Sequence, residues 1–500
     1  MSALEVPTLA PVTSRLPFRW FGVLLPIVLA GYLFFDKTFA YLHIPGTPIF
    51  VGEIVLVVGA VEAFRGRRLI AVEMRRSPAL ALVLAFLLVG SVRLLLFDLA
   101  SHGVLAVRDS ALWYYAAFTP LLVILLRVRP EWLDVVRARY SALLPAYLVW
   151  APLAVVLQRI RPFGLTVPDS DVPLTSYRPG NVGVHIALAL GYLWLVERGD
   201  TAHDRRRRIA LTALGVLGVL VVGTQNRAGL IAATLGLAVA WIVTPLRTRL
   251  TMSAGAALLV LVAVPAMLNL SVNVGARTVS VQQVVENASS IMLGAQASGS
   301  LGDNVEWRQR LWGFAVDDLF DSGREVFGFG YGENIAARYS VDTQDDLRNP
   351  HNSHLSVLVR MGVVGLTVWI LLWLVWMVPL VRALWRRGLR RGGTTLAVWA
   401  WAAVGVSSIL INAFFDPTVE GPQVGIWLWT LTGIGVHMGL TAPLGDNPPP
   451  AARQGAGGAE GGVTAPAGTS LGGRRAMAQT NRGLFFRYRR HSLRGSLASR

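Results

Sequence analysis

Long apolar blocks constrain this chain more than any other feature. Twelve segments stand out: 18–35, 48–64, 78–97, 104–126, 140–157, 181–196, 209–224, 228–244, 251–270, 355–381, 394–411 and 423–440. Crossing ~30 Å of hydrocarbon as a helix takes ~17–25 mostly apolar residues. Backbone in lipid must also satisfy its own hydrogen bonds, which leaves only helices or closed barrels. The blocks therefore predict an all-α integral membrane protein of about twelve transmembrane helices, the sixth to eighth being short. Composition agrees: 53% of the 500 residues are hydrophobic, 15% are charged and the mean hydropathy is +0.51. Ordinary soluble domains carry about a quarter charged residues. A soluble enzyme, a nucleic-acid-binding protein and a disordered scaffold are poor descriptions of the whole chain.

The net charge of +17 fits loops that orient a membrane protein. Loops 65–76, 127–139, 197–208, 245–250 and 382–391 hold 21 arginines, whereas 36–47, 98–103, 158–180, 224–227 and 412–422 hold 5 basic residues. The two sets alternate strictly. Both termini are therefore expected in the cytoplasm, and the sparse set is expected outside. No cleaved signal peptide is expected, because the chain runs from Arg15 and Arg19 straight into further spans. Cysteine is absent, which removes disulfides and thiolate chemistry. Lys37 is the sole lysine among 46 basic residues, a bias that points to a GC-rich bacterial genome.

The expected organisation is a cytoplasmic N-terminus over 1–17, helices one to nine over 18–270, and an extracytoplasmic loop over 271–354. Helices ten to twelve follow over 355–440, then a disordered basic cytoplasmic tail over 441–500. The loop is too long to be a turn and points to function. Within it, 304–320 reads as an amphipathic helix near the membrane surface. In the tail, Arg487, Arg489 and Arg490 beside Phe485, Phe486 and Tyr488 could touch anionic lipid, or simply be solvated.

Ionisable groups collect on the outside face: Arg93, Arg108, Asp109, Arg159, Arg161, Arg178, Arg227, Arg308, Arg310, His351 and His354, with Asn352 between the histidines. Positive charge is normally sparse there, so the cluster suggests an anionic ligand at headgroup level, such as a diphosphate. Guanidinium forks suit phosphate oxygens and do not titrate. The competing reading is snorkelling, or pairing with Asp109, Asp169, Asp171 or Asp416. His351 could act as a general base. His351 and His354 are poor metal ligands, since no carboxylate pattern completes a set. The run Gly328-Phe-Gly330-Tyr-Gly332 opens no βαβ unit, so it reads as a flexible or close-packed turn rather than a nucleotide fingerprint.

Taken in order, these motifs resemble the O-antigen ligase and polymerase superfamily of bacterial membrane glycosyltransferases. They are Tyr41-Leu-His-Ile-Pro-Gly-Thr-Pro-Ile-Phe-Val-Gly-Glu53, the hairpin Gly223-Thr-Gln-Asn-Arg-Ala-Gly229, and the loop with Trp307-Arg308 and Trp312. The Gly-x-Gly-x-Gly turn follows, then Pro350-His351-Asn352-Ser-His-Leu355 and Met361-Gly-Val-Val-Gly365. The resemblance covers roughly 18–440. It implies a GT-C-like membrane fold with a large extracytoplasmic loop between spans nine and ten. It also implies transfer of a glycan from a polyprenyl-diphosphate carrier to a lipid, glycan or protein acceptor at the outer face of the cytoplasmic membrane. No cofactor or metal is implied, and no nucleic acid partner. The family's catalytic positions map onto Arg227, Arg308 and His351. Arg310, Arg108, Arg161, Arg178, Asn352 and His354 are the expected substrate-binding residues. The long basic tail is not part of the family pattern. The alternative is a transporter or flippase of polysaccharide or lipid-linked sugar, although the two halves of the chain look unrelated.

Overall fold

A computed structural model describes residues 18–64, 67–158, 165–197, 201–244, 249, 253, 272–274, 277–279, 300–339, 348–391 and 393–441. The chain divides into two compact units, Met1–Leu444 and Gly445–Arg500, and every described residue lies in the first. Apart from residue 253, the ninth expected span, 251–270, lies outside the described residues, as do Arg161 and the tail beyond residue 441.

The architecture is helical. In chain order the helices are α1 (Arg19–Ala40), α2 (Val51–Phe64), α3 (Arg67–Arg76), α4 (Pro78–His102) and α5 (Val104–Val128). They continue with α6 (Glu131–Leu157), α7 (Pro179–Leu195), α8 (Ala202–Gln225), α9 (Arg227–Val243) and α10 (Ser300–Asp321). The last are α11 (Ser353–Arg391), α12 (Gly393–Asn412) and α13 (Pro422–Thr441). Two three-residue strands, Val272–Val274 and Arg277–Val279, pair antiparallel.

Among the described residues, eight helices are long and apolar enough to cross a membrane: α1, α4, α5, α6, α8, α11, α12 and α13. The expected spans 48–64, 181–196 and 228–244 fall on α2, α7 and α9, which have 14, 17 and 17 residues. The basic stretch expected as a loop after α2 is partly helical, forming α3. Ser77 then accepts from the Leu80 amide and Pro78 takes the first turn of α4, so the chain restarts as a separate helix.

The core is built around α7, buried from Gly180 to Leu195 and packed against α9 and α12. α12 packs on α13, and α13 on the later part of α5. α4 pairs with α11 at the rim, where only 28% of each apolar window is buried, so these helices offer wide faces to lipid. Three breaks shape one end of the bundle. Asp36 stands at φ 41° near the end of α1, a π-type turn spans Leu94–Asp98 inside α4, and Gly362 at φ 65° kinks α11.

At that end lie the start of α2, α5, α7, α9, α11 and α13 and the finish of α1, α4 and α12. The opposite end holds the dense arginines. There Glu73 pairs with Arg127 at 3.3 Å, and Arg207 pairs with Glu197.

Candidate active site

The N-termini of α7 and α9 meet glycine to glycine. A Cβ on Gly229 would stand 3.0 Å from the Gly180 Cα, and one on Gly183 would stand 2.7 Å from the Gly229 carbonyl oxygen. No larger residue fits this crossing. Asn226 caps α9 by accepting from the Gly229 amide at 2.7 Å, which places Arg227 at the first helical position, half-buried. On its other side Gly180 faces the turn after α12, because a Cβ there would lie 3.2 Å from Oδ2 of Asp416. Asp36 accepts from the Arg178 amide and, at 2.8 Å, from Nδ2 of Asn181, tying the start of α7 to the break in α1.

His351 sits at φ 51° in the turn before α11, a conformation histidine tolerates better than most residues. Its amide donates to Oδ1 of Asn349 at 3.1 Å. Ser353 donates its amide to the Ala413 carbonyl at 2.8 Å, docking this turn onto the end of α12. The His351 Nδ1 is buried without a hydrogen-bond partner among the described residues, 4.0 Å from Oδ1 of Asp416. Trp312 of α10 donates its indole N–H to the Pro350 carbonyl at 2.7 Å, and the Trp307 ring stands edge-on to His351 at 6.2 Å. These contacts bring Arg308 over the site from the long loop.

The electrostatics follow from this crowding. Burial, then the Arg308 and Arg178 guanidiniums, push the His351 imidazole down to about 4. Burial pulls the Arg308 guanidinium below its ordinary value, and Asp416 opposes that shift. Burial raises the Asp416 carboxyl, and the same two arginines work against it. The structure thus assembles Arg178, Arg308, His351 and Asp416 in one cluster. At neutral pH its histidine is uncharged and able to accept a proton.

A cavity of about 750 Å³ adjoins this cluster, with Arg178 lining it. Much of its lining is apolar, including Ile49, Leu56, Val57, Val104 and Val107. It also carries Arg108, Arg348 and Arg360 around Asp109. Asp109 pairs with Arg360 at 3.2 Å, Arg348 at 3.4 Å and Arg108 at 3.6 Å. Arg360 is buried and also donates to the Gly330 carbonyl at 3.1 Å, so it holds the frame. Arg108 leaves more than half of its side chain exposed. Glu53 sits in the same wall and accepts from the Tyr114 and Tyr115 hydroxyls at 2.8 and 2.6 Å.

Other expected site residues fall elsewhere. Arg310 is exposed on α10 and pairs with Glu306 at 3.5 Å. Asn352 is buried and caps α11, accepting from the His354 and Leu355 amides at 3.0 Å each. His354 uses both ring nitrogens within the protein. Its Nδ1 accepts from Trp369 at 3.0 Å, so Nε2 carries the proton and donates to the Leu410 carbonyl at 2.9 Å. Arg93 is bound to Asp98 and to the Phe329 carbonyl.

The Gly-x-Gly-x-Gly run is a close-packed turn. Gly328, Gly330 and Gly332 have φ of 74°, 91° and 96°. A Cβ on Gly330 would lie 2.4 Å from Oδ1 of Asp98, and one on Gly332 would lie 2.2 Å from the His102 Cβ. The run therefore docks against the end of α4.

Sequence reasoning did not single out Arg348, Arg360, Asn349 or Glu420 as site components. A signal existed for Arg360, since a charge inside the apolar run 355–381 must be paired or used. Asp416 had been considered only as a possible partner for an arginine. Among the described residues no group of three or more His, Asp or Glu is placed to hold a metal ion.

Residues 210–370 match the family model described as O-antigen ligase. The match takes in most of α8, α9, the long loop and the start of α11, and so includes Arg227, Arg308 and His351. No curated protein matches the chain. The resemblance seen in the sequence is thus borne out over this region. With its apolar helices, the chain is a multi-pass membrane protein, and the O-antigen ligase match over residues 210–370 supports a function of the ligase or polymerase type in polysaccharide biosynthesis.

Proposed function

We propose that this O-antigen-ligase-domain protein transfers a glycan from a polyprenyl-diphosphate carrier to an acceptor hydroxyl, at the outer face of the bacterial cytoplasmic membrane. The observation that carries the reading is the union of two features. A largely apolar cavity that also carries arginines adjoins a cluster in which an uncharged histidine stands beside two guanidiniums and a carboxyl group.

In this reading the cavity takes the carrier. Its apolar lining receives the start of the prenyl chain, and Arg108 and Arg178 meet the diphosphate. Planar guanidinium forks match phosphate oxygens in pairs. The acceptor oxygen attacks the anomeric carbon of the donor sugar as the bond from that carbon to the diphosphate oxygen breaks. The acceptor proton passes to Nε2 of His351, while Asp416, 4.0 Å from Nδ1, favours the imidazolium that forms. Charge grows on the departing diphosphate, where Arg178 and Arg308, with Arg227 at the start of α9, stabilise it. One such preorganised donor is worth ~10²–10³ in rate. Arg310, Asn352 and His354 have structural surroundings that leave them a smaller part.

The test is the lipid-linked glycan pool after deletion of the gene, complemented with wild type or with His351→Ala. Accumulation of single repeat units on the carrier identifies a polymerase. Accumulation of long carrier-linked chains with a bare final acceptor identifies a ligase. Full rescue by His351→Ala would overturn the role given to that residue. A lipid-linked pool whose glycan stays on the cytoplasmic face when the gene is lost would favour the transporter.

A further inference from the structure

Before the Gly-x-Gly-x-Gly run, residues 325–327 form a turn against the kink of α11. The Val363 amide donates to the Glu325 carbonyl at 2.7 Å and the Val364 amide to the Val326 carbonyl at 3.3 Å. Arg93 donates to the Phe327 carbonyl at 3.4 Å. All three carbonyls of the turn are therefore satisfied by protein donors, which is what a backbone needs where water is scarce. The side chains do the opposite of what an aqueous turn should do. Val326 and Phe327 are 45% and 60% exposed.

Their exposure continues a surface that already faces lipid. Val363, Ile370 and Leu374 are exposed along one stripe of α11, directly below the turn. On the other side Phe97 is 60% exposed on α4, with the Arg93 guanidinium between it and Phe327. Arg324 precedes the turn and Glu325 opens it, and these charges limit how deep it can go. An aromatic tip next to a basic residue is the pattern of an interfacial anchor.

We propose that Val326 and Phe327 insert into the headgroup–acyl boundary of the leaflet on the active-site side, so that the bilayer itself is the partner that anchors the long loop. The anchor lies between Arg93 and the kink at Gly362, and through Gly328 and Gly330 it is coupled to the wall of the cavity that Arg360 frames. It sets the height of that wall relative to the headgroup layer. The inference rests on the membrane-facing surface and not on the identity of the reaction.

The cysteine-free chain allows a direct test. Phe327→Cys and, separately, Val326→Cys in the full-length protein are labelled with an environment-sensitive fluorophore. Each is reconstituted into phosphatidylcholine vesicles carrying nitroxides either near the headgroup or at the chain end. The expected result is a blue-shifted emission at both positions, quenched more by the shallow nitroxide than by the deep one, with little quenching by iodide. Quenching by iodide without quenching by either lipid would show the turn in water and overturn the proposal. Protection from both would show it covered by protein, and would overturn it equally.

Discussion

At the scale of single residues, His351 is held as a free base by its surroundings. Burial and two arginines oppose its protonation, so the folded state binds the proton less tightly than the unfolded chain, where the usual value is about 6.5. The sign then follows. Above pH ~6.5 the neutral form costs nothing extra, and stability from this group is lost as pH falls through about 4. The acid limb of glycan transfer should accordingly lie near pH 4 and not near the value for free histidine. Arg308→Gln removes one of the opposing cations, so that limb should move upward. A pH–rate profile of both proteins checks this, and an unshifted limb would separate Arg308 from His351. Arg308→Gln should also lower the rate by ~10²–10³ if the guanidinium meets the leaving group. The turn histidine, its φ of 51° and the neighbouring arginines are one arrangement, since no single residue explains the shift.

Among the elements, caps and glycine crossings place the chemistry. Asn352 holds the start of α11, and losing such a cap costs about 1 kcal/mol. Asn352→Asp keeps an acceptor for the two amides and should retain most activity, whereas Asn352→Ala should lower thermal stability. Thermal unfolding in detergent beside a transfer assay distinguishes them. If Asn352→Asp were inactive with an unchanged melting curve, the side chain would belong to substrate binding. Gly330→Ala meets both a positive φ and the Asp98 carboxylate, and should destabilise by ~1–3 kcal/mol. A melting temperature equal to wild type would show that the turn can move away from α4. Ser77, Thr201 and Asn226 cap α4, α8 and α9, and each is a residue type suited to that position. The π-type turn in α4 and the kinks at Asp36 and Gly362 were not legible, because each depends on a distant partner such as Tyr331, Arg178 or Glu325.

For the whole molecule, the separation of the two ends is the main result. One end gathers the cavity and the arginine–histidine cluster, and the other gathers the pairs of Glu73 and Glu197 with arginines. The loop arginine bias predicts that the first faces outward. Ser101→Cys should react with a membrane-impermeant maleimide in intact cells and His203→Cys only after lysis. The reverse pattern would invert the orientation and remove the proposed extracellular-face chemistry.

The amino-acid sequence by itself determined the class of the molecule. Apolar blocks near the length of a bilayer crossing leave little but helices, and short ordered motifs around Arg227, Arg308 and His351 marked the family. The grouping of Arg178, from the start of α7, with Asp416, from the turn after α12, was decided only by the tertiary structure. The same holds for the diversion of His354 and Asn352 into helix support and for the enclosure of Asp109 by three arginines. Hydropathy and motif spacing report along the chain, whereas an ion cluster depends on which helix ends meet. Here that meeting is permitted by glycines small enough for α7 and α9 to touch.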